Sequence, residues 1–276
     1  MRALAIVAGM LAIAVSHAAI AEARDQFGQN DAVTIDPQKS YIFYRAISRL
    51  PVRFIREATP AEIVAWRAER AAALARAQAG YERAVSRYRL AVRTCETRSC
   101  RYPPEEPVRA TEGNFAYPPP ETRNFVVVEA GPQFTRDDAE STYLIAVPPG
   151  TYVVYGSSGM LATGIAHMCQ CMGTVRFTAP AGTIVDLGTI RFPMNDSGAR
   201  VIEAPVVVPY APAMARPARL NGQPVIAAEL RAADKIPNYL GGMIGRHPAL
   251  PGVLRYARDR VIDDRTGQAP ERAPAP

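Results

Sequence analysis

Apolar positions along this chain follow two periods. From residue 33 to 56, and again from 124 to 192, they come in short runs rich in Val, Ile, Phe and Tyr, the residue types that favour strands. Val33–Ile35, Tyr41–Ala46 and Pro51–Arg56 form the first group. In Tyr41–Ala46, Tyr41, Phe43 and Arg45 alternate with Ile42 and Tyr44, so this strand is apolar on both faces over most of its length. Asn124–Glu129, Ser141–Val147, Thr151–Tyr155, Thr174–Thr178 and Thr183–Leu187 form the second group, with Ile190–Phe192 extending it. Pro148-Pro149-Gly150 reads as a turn, and Ala179-Pro180-Ala181-Gly182 as the turn of a hairpin. Short strands separated by such turns predict a sandwich or barrel.

Between the two groups the period changes to that of a helix. Thr59-Pro60-Ala61-Glu62 is a start signal: Thr59 can cap, Pro60 sits where a missing N–H costs nothing, and Glu62 can reach back. Ile63, Trp66, Ala73, Ala77, Tyr81, Val85, Tyr88 and Val92 then fall on one stripe, which predicts a helix to about Thr94. Such a helix would be about 52 Å long, against a radius of gyration of about 18 Å for a compact domain of this size. It must project, lie along the whole body or break, and Gly80 is the expected break point, giving a helical hairpin.

Prolines govern much of the rest. Residues 101–123 and 201–219 read as irregular surface segments. Val225–Ile236 could hold a short helix, and Val253–Asp263 a strand. Gly156-Ser157-Ser158-Gly159 reads as a small flexible loop, and the Ala/Pro-rich end as a disordered tail.

The apolar start of the chain adds a compartment. Met1–Ala23 has a short positive start, an apolar stretch from Ala3 to Val15 and small residues after it, the pattern of a secretory signal peptide. That stretch is too short to span a bilayer, and no later one is long enough. The expected location is periplasmic or secreted. The charge, +6 with a pI near 9.3, rests almost wholly on arginine, since Lys39 and Lys235 are the only lysines. Outside the cell this argues against nucleic acid and for an envelope protein or an anionic envelope surface as partner.

Four cysteines remain in such a compartment, Cys95, Cys100, Cys169 and Cys171, and disulfides are the first expectation for all of them. Cys95 and Cys100 straddle the helix end, where a local bridge closes easily. Cys169 and Cys171 can join each other or reach across to that pair; three connectivities are open. His167-Met168-Cys169-Gln170-Cys171-Met172 also carries soft ligands. His167, Cys169 and Cys171 could hold copper or zinc, provided the strand bends, because regular strand spacing of about 6.6 Å keeps the sulfurs too far apart. Met168 and Met172 read as core residues.

The helix carries unpaired charge. From Glu62 to Arg101 there are nine arginines against four glutamates, none of which has an arginine four residues later. Arg83–Arg87 and Arg89–Arg93 set like charges at i, i+4, which is mildly unfavourable. These four are the candidate anionic-surface residues; a solvated face is the plainer alternative. Catalysis has little to work with: His167 and His247 are the only histidines after the leader, and Asp137-Asp138 and Asp263-Asp264 are adjacent pairs that a strand would point apart.

Ala146-Val147-Pro148-Pro149-Gly150-Thr151-Tyr152-Val153-Val154, with Ala181-Gly182-Thr183-Ile184-Val185-Asp186-Leu187-Gly188, resembles a recurrent feature of small prealbumin-like β-sandwiches in uncharacterised exported proteobacterial proteins. About 50 residues carry it, and it implies a fold and a compartment but no activity. The expected class is β-rich α+β: an antiparallel β-sandwich over 31–193 with a helical insertion at 59–100, a C-terminal extension at 194–264 and a disordered tail at 265–276. The expected function is a non-enzymatic binding or structural module of the envelope, with soft-metal binding second and an envelope hydrolase third.

Overall fold

The structure, a computed structural model, describes residues 25–47, 50–98, 100, 102–136, 140–161, 164–192 and 204–270. The leader at 1–23, Asp137-Asp138 and part of the tail lie outside these. The described chain is β-rich, with one α-helix. Its elements run β1 (Ser40–Ala46), β2 (Val52–Arg56), α1 (Pro60–Arg98), β3 (Phe125–Val128), β4 (Thr135–Arg136), β5 (Ser141–Val147), β6 (Gly150–Leu161), β7 (Gly164–Cys169), β8 (Thr174–Ala179) and β9 (Ile184–Arg191). They continue as β10 (Val206–Val208), β11 (Val225–Ala227), β12 (Arg231–Ala233), β13 (Met243–Ile244), β14 (Leu254–Ala257) and β15 (Arg260–Asp263).

Two sheets face each other. The first has the order β10-β9-β1-β5-β4, with β11 also on β9; the second has the order β12-β8-β6-β2-β3, with β7 on β6 and β13 on β7. Ile42, Tyr44, Tyr143, Ile145, Val185 and Leu187 from the first meet Phe54, Tyr152, Val154, Val175 and Phe177 from the second in one buried core. No short strand can bury a face alone, so the two sheets form together.

The apolar-on-both-faces reading of β1 has its explanation outside the sandwich. Tyr41 and Phe43 point outward and are covered by Phe134, Leu220, Phe27 and Ile35. The second sheet is covered likewise: Ile55, Val153 and Tyr155 pack under Phe125, Ile236, Tyr239 and Leu240. The molecule is layered as covering segment, sheet, sheet and covering segment.

Several expectations are corrected. The sandwich is not wholly antiparallel, because β1 and β11 both pair parallel to β9. Ala179–Gly182 closes no hairpin: β8 belongs to the second sheet and β9 to the first, so the chain crosses between sheets there. The helix expected within 225–236 is replaced by β11 and β12, because Leu230 and Ala232 enter the core and both strands satisfy their backbones on the sheets; tertiary burial outweighs propensity. Val253–Asp263 is a two-strand hairpin instead of one strand. Gly156–Gly159 lies inside β6, where a Cβ on Gly156 would stand 1.9 Å from the Met168 carbonyl oxygen; the glycine permits close pairing with β7 and gives no loop. The 201–219 segment supplies β10, whose Val207 is fully buried. Gly188, at φ +85° and with Val208 O only 2.2 Å from its Cβ position, leaves room for that approach. Val33–Ile35 forms no strand.

Helix α1 does not break at Gly80. It runs unbroken for 39 residues, about 58 Å.

Candidate functional site

The arm is built from α1 and the chain that returns along it. The start signal forms as a reciprocal box: the Glu62 N–H donates to Thr59 Oγ1 at 3.2 Å and the Thr59 N–H to Glu62 Oε2 at 2.7 Å. Arg56 of β2 donates to the same carboxylate and to Asn124, which ties the helix to the sheet. Hydrogen bonding from Arg56 lowers the Glu62 pKa to about 2, with the Thr59 N–H adding to it against some burial. Further along, Trp66 is buried and its Nε1–H donates to Pro118 O at 2.6 Å. Arg70 pairs with Glu112, and Gln78 donates to Ala110 O. Residues 102–118 therefore run antiparallel to α1, and Cys95–Cys100 joins the two at the tip, with the Cα atoms 4.9 Å apart. The predicted stripe is the covered side: Trp66 is buried, and Ile63, Ala73, Tyr81, Val85, Tyr88 and Val92 are half-buried, while Ala77 is exposed.

Arg83, Arg87, Arg89 and Arg93 sit on the uncovered side, and all are exposed. Among the described residues none of the four, nor the exposed Arg76, has an ion-pair partner. Beside Arg87 an open groove of about 440 Å³ is lined by Leu90, Ala91, Thr94, Tyr102, Pro104 and the tip disulfide.

The 167–172 cluster lies elsewhere, where β7 ends under the outer cover of the second sheet. Cys169 and Cys171 are joined to each other, with the Cα atoms 5.2 Å apart, shorter than the strand spacing of about 6.6 Å. The bend that sequence reasoning required for any use of these sulfurs is present, and the disulfide occupies it. Both cysteines are buried. Gln170 points into the core, where Thr174 Oγ1 donates to its Oε1 at 2.6 Å. Met168 is half-buried and Met172 is exposed, so only the first resembles a core residue. His167, half-buried, has an Nδ1 without a hydrogen-bond partner, and burial followed by the charge of Arg53 lowers its pKa. Among the described residues no three His, Cys, Asp or Glu side chains converge as a metal-ligand set.

His247 is structural. It is 1 % exposed, its Nε2 accepts the Val207 N–H at 2.9 Å, and its Nδ1 lies 2.7 Å from Pro248 O. Asp263 and Asp264 go to separate partners, Arg231 and Arg255.

Sequence reasoning missed a buried charge cluster on the outer face of the first sheet. Asp186, fully buried, accepts from Arg45 at 3.2 Å, from Arg216 at 2.9 Å and from the Gly188 N–H at 3.0 Å. Arg45 also donates to Ala215 O, and Arg216 stacks 4.2 Å from the Tyr210 ring centroid. The signal was legible: Arg45 and Asp186 are lone charges inside apolar strands, and such charges require partners. A cleft of about 540 Å³ beside β8 is also charged, but Arg176, Arg231 and Glu229 there face Glu57, Asp263 and Arg265 respectively.

No family model, curated protein or solved structure matches the chain.

Proposed function

We propose that the chain is an exported, non-enzymatic binding module of the cell envelope, with the layered body as its base and the α1 arm as its contact element. The leader pattern of Met1–Ala23 supports export, and two disulfides suit an oxidising compartment. One observation carries the reading: among the described residues Arg76, Arg83, Arg87, Arg89 and Arg93 of the arm stand exposed without ion-pair partners, whereas the body's buried Arg45, Asp186 and Asp263 are paired. An unpaired cationic face over a long helix is suited to an anionic envelope component.

The test is retention of the purified protein on washed native envelope fragments. Arg83→Gln/Arg87→Gln/Arg89→Gln/Arg93→Gln should lower retention at least tenfold with an unchanged far-ultraviolet spectrum. Retention equal to that of the unmodified protein would remove the reading.

A second reading, binding of copper or zinc by His167, Cys169 and Cys171, is favoured by the unpartnered Nδ1 of His167. It requires the Cys169–Cys171 bridge to be reduced. Elemental analysis of the reduced, metal-replete protein should then give about one metal per chain, abolished by His167→Ala; substoichiometric metal would exclude it.

A further inference from the structure

We propose that the tip of the arm lies on the surface of an anionic lipid bilayer, its arginines on phosphate-bearing headgroups and its apolar groove in the interfacial layer. This rests on the reading of the arm as the contact element and names what it contacts. The arrangement of side chains around α1 is the first support. Arg76, Arg83, Arg87, Leu90 and Thr94 follow at steps of 7, 4, 3 and 4 residues, so they form one stripe about 27 Å long. That stripe carries positive charge only. Glu82, Arg89, Arg93 and Glu96 repeat the 7, 4, 3 spacing on another flank, where the charges are mixed. The remaining nearby acids, Glu105 and Glu106, belong to the returning segment that covers the opposite side.

The second support is the apolar groove beside the positive stripe. Leu90 belongs to both, and it is 60 % exposed; Tyr102 on the far wall is 77 % exposed. Arginine stems that lie along apolar surface with their guanidinium groups in the headgroups, and a tyrosine at the same depth, are the composition of an interfacial element. The Cys95–Cys100 bridge holds the two walls of the groove together.

Area separates a bilayer from an acidic protein. A convex helix face about 27 Å long offers roughly 300 Å², well under the roughly 800 Å² per partner of a specific protein interface. A continuous charged plane meets such a face along its whole length and needs no shape complementarity.

The experiment is co-sedimentation of the purified protein with vesicles of phosphatidylglycerol and phosphatidylethanolamine, and separately with phosphatidylcholine vesicles. The expected result is binding to the first and not to the second, suppressed by high salt. Arg83→Gln/Arg87→Gln should weaken it about 25-fold, at about fivefold per arginine. Arg89→Gln/Arg93→Gln should weaken it less, and Leu90→Ser/Tyr102→Ser severalfold. No vesicle binding by a protein that native envelope fragments retain through the same arginines would overturn the lipid assignment and leave the arm as a contact for an envelope protein or polymer. Vesicle binding of equal strength to both compositions, or unaffected by the arginine changes, would overturn the assignment as well. Loss of arginine-dependent retention on envelope fragments too would remove the reading of the arm itself.

Discussion

Arginine is used in two ways in this molecule. In the body, Arg45 is buried, takes the Asp186 carboxylate and a backbone carbonyl, and lies 5.2 Å from the Phe43 ring centroid. On the arm, Arg83, Arg87, Arg89 and Arg93 stand in solvent, with neighbours of like charge at i, i+4. A buried guanidinium must be satisfied or the fold fails. An exposed one that nothing satisfies adds little to folding. The difference separates residues that hold the structure from residues free to do something else.

That contrast can be broken at its strongest point. Asp186→Asn removes the acceptor of two arginines and should cost about 3–5 kcal/mol, read by urea unfolding. A loss under 1 kcal/mol would mean that the cluster does not hold the 210–216 segment to the sheet. His247 comes next. His247→Ala leaves the buried Val207 N–H without its partner and opens a cavity, and should cost about 2–4 kcal/mol. Burial lowers the pKa of His247 in the folded state, so the stability it gives is present above the ordinary value of about 6.5 and is lost as pH falls below it. Stability measured from pH 7.5 down to 5 should fall in the unmodified protein, with a smaller slope in the variant.

Smaller effects belong to the arm's helix. Glu62→Gln should cost about 1 kcal/mol at neutral pH by weakening the cap and the Arg56 contact. The Glu62 pKa is lowered on folding to about 2, so its stabilisation is present above about 4.3 and lost as pH falls toward 2; the variant should show no such loss. Gly80→Ala, with nothing within 4 Å of the added methyl, should stabilise α1 by about 0.5–1 kcal/mol. Destabilisation there would mean that the helix bends at Gly80 in solution.

The strands that could be read in the sequence were those whose apolar runs are long enough to be unambiguous, β1, β2, β3, β5 and β9 among them. Their partners were not legible. Whether 174–179 and 184–191 form a hairpin or cross between sheets depends on which faces other strands cover, and a local pattern does not contain that. The same limit explains the 225–236 error, since Ala227, Ala228 and Leu230 favour helix until two sheets compete for them. The cap at Thr59 and Glu62 was legible because capping is local. So was the Cys95–Cys100 bridge, where five residues keep the sulfurs within reach. The arginines were visible as residues, but their lack of partners needed the returning 102–118 segment to be placed. The tip groove had no sequence signal, because its walls are Leu90 and Tyr102, brought together only by that return.

Retention of Arg83→Gln/Arg87→Gln/Arg89→Gln/Arg93→Gln on native envelope fragments, measured beside its unfolding midpoint, tests the central claim most directly. We predict at least a tenfold loss of retention with stability within about 0.5 kcal/mol of the unmodified protein. Undiminished retention, or a loss of several kcal/mol in stability, would contradict it: the arginines would then be idle or structural, and the arm would not be the contact element.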